Sequence, residues 1–197
     1  MTVVGVTGKY CAGKSTAAEL LVEAGYEEIN VDALGHQALI RERARIIGRF
    51  GSEVADGETG IDRRRLGDIV FADADARRDL EAIVHPAMVS MVEEKLAAAR
   101  SREHPPPGVA VNAALLIRMD LARLCDLVLY IRASLPVRIR RARERDGASL
   151  RQILRRIAAQ RDVTSQFSGV DADIHSVRND GSREQLRSVL RQLLPLP

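Results

Sequence analysis

The chain has 197 residues and a formal net charge of only +3, from 30 Lys or Arg and 27 Asp or Glu. A chain of this length can bury a sufficient hydrophobic core without disulfide bonds or a structural metal ion. Cys11 and Cys125, the two cysteines, are far apart in the sequence and do not have the spacing of a disulfide or zinc framework. Aromatic residues, at 3%, are too few for a surface on which nucleic-acid bases stack, so we expect no nucleic-acid partner. We also expect a cytoplasmic protein with no membrane partner, because no signal peptide or long apolar run is evident.

The first predicted elements are a strand, a loop and a helix. The β-branched run at residues 3–6 is typical of a buried parallel strand, and the apolar spacing over residues 16–23 predicts a helix that ends near Gly25. Between them, residues 8–15 fit the phosphate-binding spacing G-x-x-x-x-G-K-[ST]. Because a strand before and a helix after are the context that this motif requires, the segment predicts a nucleoside triphosphate site.

The positions of this phosphate loop have distinct chemical roles. Backbone N–H groups of such a loop converge on phosphate oxygens, and the N-terminus of the next helix adds positive potential. Lys14 supplies a mobile positive charge, and Ser15 offers its hydroxyl to Mg²⁺. The predicted triphosphate-binding residues of the loop are Gly8, Lys9, Tyr10, Cys11, Ala12, Gly13, Lys14 and Ser15.

The second predicted strand, residues 28–31, is followed directly by Asp32. Since the carboxyl ends of parallel strands meet at one edge of a sheet, we expect Asp32 to lie near the phosphate loop. Phosphoryl transfer to a hydroxyl group needs a carboxylate that accepts the hydroxyl proton, and we interpret Asp32 as this general base. An N-cap of the next helix is the alternative role for Asp32.

A long segment, residues 33–104, separates the second strand from the third and is too long for one crossover helix. It contains a turn-rich stretch at residues 56–60, and apolar residues at helical spacing follow that stretch. We therefore predict an inserted helical subdomain that binds the substrate. The nucleotide-binding core would comprise residues 1–32, 105–137 and 161–197.

Further strands are predicted at residues 109–112, 126–131 and 173–177, with helical segments between most of the strands. This alternation predicts an α/β fold with a parallel sheet of the P-loop NTPase type, flanked by helices. The sequence carries no signal for an oligomeric state.

An arginine-rich pair of helices is predicted at residues 138–160, after the fourth strand. Arg141 and Arg145 are one helical turn apart, so both guanidinium groups could reach the same phosphates and the pair could act as a catalytic lid. Arg138 and Arg140 are weaker candidates because they would face elsewhere or lie nearer the sheet. A solvated surface hairpin with pairing of opposite charges is the alternative.

Over most of its length the chain resembles the dephospho-CoA kinase family of P-loop kinases. The run at residues 80–86, Leu-Glu-Ala-Ile-Val-His-Pro, is quite specific. The other similar segments are residues 4–8, 13–16, 32–36, 60–66, 70–73, 141–147, 157–160 and 179–182.

The resemblance implies that ATP phosphorylates the ribose 3′-hydroxyl of dephospho-CoA and gives CoA and ADP, the last step of CoA synthesis, with Mg²⁺ as the metal. It also implies catalytic roles for Asp32, Lys14, Arg141 and Arg145. His85 and Leu115 would contact the CoA-side substrate, although a histidine before a proline at a helix break is also a common structural feature. The further nucleotide-binding residues would be Thr16, Asn179 and Gly181.

Two departures from the family pattern concern the predicted site. Family loops usually have small, glycine-rich residues where this chain has Lys9, Tyr10 and Cys11, so a positive φ at Cys11 would be strained. Asn112 lies where an aspartate that could assist magnesium is common.

Two other functions are compatible with the phosphate loop. One is a P-loop kinase that acts on another small hydroxyl or nucleotide substrate. The other is a dimeric switch ATPase, since Lys9 has the spacing to Lys14 of the signature lysine that reaches a partner's nucleotide. An ATPase of this class would hydrolyse ATP without an acceptor.

Overall fold

The central sheet in the computed structural model has five parallel strands, and the structure describes residues 1–147, 149–158 and 172–194. The strand order is second, fifth, first, sixth and seventh, so the first strand lies in the middle of the sheet. Each strand predicted from the sequence is confirmed, with small shifts at its ends. The strands are β1 (Thr2–Gly8), β2 (Glu27–Asn30), β3 (Ala55–Asp56), β4 (Gly60–Ile61), β5 (Gly108–Asn112), β6 (Leu127–Arg132) and β7 (Asp173–Arg178).

Helices connect these strands, as the α/β pattern predicts. Short 3₁₀ helices also occur at Ser52–Val54 and Leu121–Leu124. The α-helices are α1 (Lys14–Glu23), α2 (Val31–Arg41), α3 (Arg43–Phe50), α4 (Arg63–Ala72), α5 (Ala74–Arg100), α6 (Leu135–Asp146), α7 (Leu150–Ala158) and α8 (Arg183–Leu193).

The contacts divide the chain into two compact units. The first, which we call the core unit, comprises Met1–Asn30 and Leu96–Pro197. The second, which we call the helical unit, comprises Val31–Lys95. Parts of the predicted lid and core segments lie outside the described part of the chain, namely residues 148, 159–171 and 195–197.

The core unit is built around the buried strands of the sheet. All residues of β5 are buried, as are all residues of β1 after its first, because helices cover both faces of a parallel sheet. The hydrophobic cluster continues into α1 and α8, where Leu21, Leu186 and Leu190 are buried. This packing fixes the ends of β1, β5, β6 and β7, where the predicted nucleotide site lies.

The helical unit corrects the sequence interpretation in two places. The turn-rich stretch closes a short antiparallel hairpin, β3 and β4, which the sequence did not predict. The helix break expected at His85 and Pro86 does not occur. α5 is 27 residues long and continues through Pro86. Proline removes one backbone hydrogen bond, and the many apolar contacts of a long helix compensate for that loss. No helix in the described ranges is long and apolar enough to span a membrane.

Candidate active site

The phosphate loop connects the end of β1 to the start of α1, and its two motif glycines are required sterically. Gly13 has φ 98°, and a Cβ there would lie 2.1 Å from Asn179 Nδ2. A Cβ at Gly8 would lie 2.3 Å from the carbonyl oxygen of Ile131 on the neighbouring strand. Both distances are far below van der Waals contact, so the loop comes this close to the sheet only with glycine at these positions.

Between these glycines, Cys11 adopts a left-handed conformation with φ 55°. This is the positive φ whose strain the sequence analysis described, and such a conformation costs about 1–3 kcal/mol for a residue other than glycine. The surroundings hold it in place, because both neighbouring carbonyl groups accept side-chain hydrogen bonds. Arg138 Nε donates to the Tyr10 oxygen at 2.7 Å, and Asn179 Nδ2 donates to the Ala12 oxygen at 2.8 Å.

Lys14, the motif lysine, contacts the end of β5. Its ammonium group donates to Oδ1 of Asn112, a buried residue, and the Asn112 amide donates in turn to Glu28 Oε1 at 2.6 Å. An ammonium group only donates and a carboxylate only accepts, so these two partners fix the orientation of the amide between them. The asparagine at position 112 therefore still provides an oxygen for the lysine.

Arg141 of α6 bonds the loop and the end of β7 together. Its Nη1 donates to the carbonyl oxygens of Ala12 at 3.2 Å and Asn179 at 3.0 Å, and its Nη2 donates to that of Gly181 at 3.5 Å. The side chain thus connects the phosphate loop to the predicted base-binding segment. Guanidinium groups held in this way keep a fixed positive charge beside the loop.

Arg138 is the residue that the sequence analysis undervalued. The structure places it against the phosphate loop, where its side chain is buried and bonds the Tyr10 carbonyl. Burial lowers the pKa of the Arg138 guanidinium below its ordinary value, although an arginine remains charged. The signal for this placement is the spacing of Arg138, Arg141 and Arg145, which puts all three on one face of α6.

Arg145 lies one turn further along this face. Its Nε and Nη2 donate to the Asp146 carboxylate at 2.7 and 3.2 Å, and its guanidinium group lies over the Tyr10 ring, 5.3 Å from the ring centroid. These contacts bring the end of α6 to the phosphate loop.

One cavity of about 760 Å³ collects most of the predicted nucleotide-binding residues. It is lined by the whole of the predicted loop, residues 8–15, and by the other predicted nucleotide-binding or catalytic residues Thr16, Arg141, Arg145, Asn179 and Gly181. Leu115, a predicted substrate contact, is not among the lining residues described, whereas its neighbour Ala114 is. The volume is in the range of ordinary ligand sites, and the lining combines backbone donors with three arginines (Arg141, Arg145 and Arg183) and two lysines.

The helical unit contains a separate cavity of about 350 Å³. Its lining is mainly apolar, and the polar groups are His36, His85, Arg63 and Glu81. The predicted substrate residue His85 therefore lines a cavity, which is also lined by a second histidine that the sequence analysis did not select. The apolar lining consists of Leu39, Leu66, Val70, Leu80, Val84 and Met88.

Asp32 also belongs to the helical unit. It is exposed and is the second residue of α2, so it lies within the first turn of the helix rather than at the N-cap position ahead of it. A carboxylate in this turn interacts favourably with the positive end of the helix dipole.

Ser15, the predicted magnesium ligand, is the exposed second residue of α1. No cluster of three or more His, Cys, Asp or Glu side chains that could hold a metal occurs among the residues described. Magnesium in such sites is bound mostly by phosphate oxygens and water and needs only one or two protein ligands. The hydroxyl of Ser15 beside the phosphate loop fits this requirement.

The fold and the first cavity define a nucleotide-binding protein of the P-loop kinase class, with β1 at the centre of a parallel sheet and arginines from α6 beside the loop. The family model described as Dephospho-CoA kinase matches residues 2–185. The chain belongs to the dephospho-CoA kinase family.

Individual relatives agree with this assignment. A Dephospho-CoA kinase from Geobacter metallireducens is 37% identical over 189 residues, which cover 94% of this chain and 91% of that protein. A crystal structure from Thermus thermophilus is 31% identical with a TM-score of 0.78, covering 98% of this chain and 96% of that one. The structure of Dephospho-CoA kinase from Campylobacter jejuni, at 24% identity, TM-score 0.68 and coverage of 97% and 96%, shows the same fold.

Proposed function

We propose that this chain uses ATP to phosphorylate the ribose 3′-hydroxyl of dephospho-CoA, giving CoA and ADP in the last step of CoA synthesis. Family membership supports the acceptor. The main structural support for phosphoryl transfer is that the phosphate loop, Arg141 and Arg145 line one cavity. Phosphoryl transfer needs positioning and fixed positive charge more than covalent chemistry, and this cavity supplies both.

On the donor side, the loop amides and Lys14 would bind the phosphates of ATP, and Arg141 and Arg145 would stabilise charge that develops on the transferred group. Arg141 is suited to this role because its bonds to three carbonyl oxygens hold it in place before ATP binds. Bound Mg²⁺, with Ser15 as its protein ligand, would supply further neutralisation of phosphate charge. The segment at Asn179 and Gly181 would contact the nucleotide base.

On the acceptor side, Asp32 would accept the proton of the 3′-hydroxyl as the new bond to phosphorus forms. His85 would hold part of dephospho-CoA in the cavity of the helical unit, whose apolar lining suits the uncharged part of the substrate. Leu115, 37% exposed, would add an apolar contact from the core unit.

An ADP-release assay with and without dephospho-CoA tests this function. We expect release to depend on the acceptor, and Asp32→Asn to lower kcat by about 10²–10⁴-fold with little change in KM for ATP, because a base acts mainly in the transition state. Lys14→Ala should also lower kcat, since it removes charge at the phosphates.

The matched control is Asp75→Asn, since Asp75 is also the second residue of a helix and pairs with Arg78 on the surface. It should leave kcat unchanged. ADP release that needs no acceptor and is unaffected by Asp32→Asn would overturn the kinase assignment and favour the switch ATPase. Strict dependence on a different hydroxyl substrate would favour another kinase.

A further inference from the structure

The Tyr10 side chain joins the phosphate loop to both helices of the arginine-rich pair, α6 and α7. Its hydroxyl donates to Oδ2 of Asp146, the last residue of α6, and accepts a hydrogen bond from Arg156 Nη1 of α7 at 2.9 Å. Its ring faces the guanidinium groups of Arg145 and Arg156, at 5.3 and 5.7 Å from the centroid. One loop side chain thus contacts two helices through both its polar and its aromatic atoms.

Asp146 is the second centre of this cluster. Its Oδ1 accepts from Arg145 Nε at 2.7 Å, and its Oδ2 accepts from Arg156 Nη1 at 2.7 Å as well as from Tyr10. Its side chain is 21% exposed, so the carboxylate is largely enclosed by its partners. Because the guanidinium groups of Arg145 and Arg156 surround a single carboxylate, the cluster has one excess positive charge. This charge lies near the phosphate loop, since Arg145 lines the cavity there.

The protonation states suit this arrangement. Burial, together with the hydrogen bond to Asp146, raises the pKa of Tyr10 above its ordinary value. The bond from Arg145, and then that from Tyr10, hold the pKa of Asp146 well below its usual range. At neutral pH the phenol therefore keeps the proton that it donates, and the carboxylate stays ionised.

We propose that Tyr10 and Asp146 are positioning residues for phosphoryl transfer, which hold Arg145 beside the phosphates bound at the loop and, through Arg156, hold α7 to the loop. Long arginine side chains lose rotamer entropy when they become ordered. A cluster that orders them before the nucleotide binds removes this cost from the catalytic step. This inference rests on the proposed kinase activity.

The two helices differ in how strongly they depend on the cluster. α6 is also held to the loop by Arg138 and Arg141, which bond loop carbonyl groups directly. α7 is reached from the loop through Arg156, by its contacts with Tyr10 and Asp146. Arg156 should therefore be the arginine whose position depends most on the tyrosine hydroxyl.

The test is steady-state kinetics of dephospho-CoA-dependent ADP release for Tyr10→Phe, Asp146→Asn and the double variant. Tyr10→Phe removes the hydroxyl and its two hydrogen bonds but keeps the ring and its contacts with the two arginines. We therefore expect kcat to fall about three- to tenfold, with little change in KM for ATP. The double variant should be no slower than the slower single variant, because both substitutions disrupt one cluster. Arg156→Ala should lower kcat at least as much as Tyr10→Phe.

Tyr26→Phe is the matched control, since Tyr26 is a buried tyrosine of the hydrophobic core. It should leave kcat unchanged, and the thermal midpoint of Tyr10→Phe should fall by no more than about 2–4 °C, the shift for about 1 kcal/mol in a chain of this size. Wild-type kcat in Tyr10→Phe and Asp146→Asn, or effects that multiply in the double variant, would overturn the proposal while the wild-type activity stands. Absence of acceptor-dependent ADP release in the wild type would instead overturn the proposed function.

Discussion

The two cavities of this protein are built for different chemistry. That of the core unit is lined by backbone donors and by arginines and lysines, whereas that of the helical unit is lined mainly by apolar side chains with two histidines. Phosphate groups need fixed positive charge and amide donors, while the uncharged part of a substrate is recognised by apolar area. The difference supports the proposal that the first cavity binds the donor and the second binds the acceptor.

The cavities also differ in how their shape is maintained. In the core unit, Gly8 and Gly13 allow backbone approaches that no other residue permits, and buried hydrogen bonds fix the loop. In the helical unit, half of the apolar lining residues lie four apart on α5, namely Leu80, Val84 and Met88. Side chains on a helix face can repack, so this cavity should tolerate substitution better than the first.

Among the tests of this comparison between the cavities, the largest expected effect comes from removing the Arg141 charge beside the first cavity. Arg141→Ala loses three hydrogen bonds to backbone oxygens and one positive charge, and we expect kcat/KM for ATP to fall about 10²–10³-fold, the range for loss of one donor to developing charge. Steady-state ADP release at varied ATP concentration would measure kcat/KM for ATP in the Arg141→Ala variant.

Arg140→Ala is the control for this prediction. Arg140 is the neighbouring residue on the exposed side of α6, where it pairs loosely with Glu144 at 3.8 Å, and such surface pairs contribute little. Equal effects of Arg140→Ala and Arg141→Ala would contradict the role assigned to the inner face of α6.

Much of the fold could be predicted because its signals are local. The β-branched runs of β1, β5 and β6 are typical of buried parallel strands, and the motif glycines and Lys14 have a fixed spacing. Helix spacing also placed Arg141 and Arg145 on one face of α6. These features depend on neighbours in sequence, which a pattern can show.

The features that were missed depend on contacts distant in sequence. The burial of Arg138 results from its bond to the Tyr10 carbonyl, 128 residues away in the chain. Strain at a positive φ of Cys11 follows from the sequence, whereas the bond from Asn179 that helps to maintain this φ does not. α5 continues through Pro86 because the packing of a long helix outweighs one lost hydrogen bond. Helical spacing places Arg138 on the same face of α6 as Arg141, but a sequence pattern does not show these distant partners.

An intermediate effect is expected in the helical unit. His85→Ala removes a polar group from a mainly apolar cavity, and we expect KM for dephospho-CoA to rise about tenfold, the range for loss of one hydrogen bond, while KM for ATP stays unchanged. Varying each substrate in turn would separate the two constants.

The control for His85→Ala is His104→Ala, which changes an exposed histidine of the core unit and should alter neither constant. A rise in KM for ATP in the His85 variant would show that the two cavities do not divide the substrates between them.

The smallest expected effect concerns the backbone of the phosphate loop. Cys11→Gly should relieve the left-handed strain at φ 55°, and after the greater flexibility of glycine in the unfolded chain is subtracted, we expect a gain of about 0.5–1 kcal/mol in stability. For a chain of this size the thermal midpoint should rise by about 1–4 °C. Cys11→Ala removes the thiol but keeps the Cβ, so it should show no such rise. Only the glycine variant removes the backbone strain at this positive φ. Equal thermal midpoints for the two variants would therefore show that loss of the thiol causes the change, and would contradict the role assigned to the backbone.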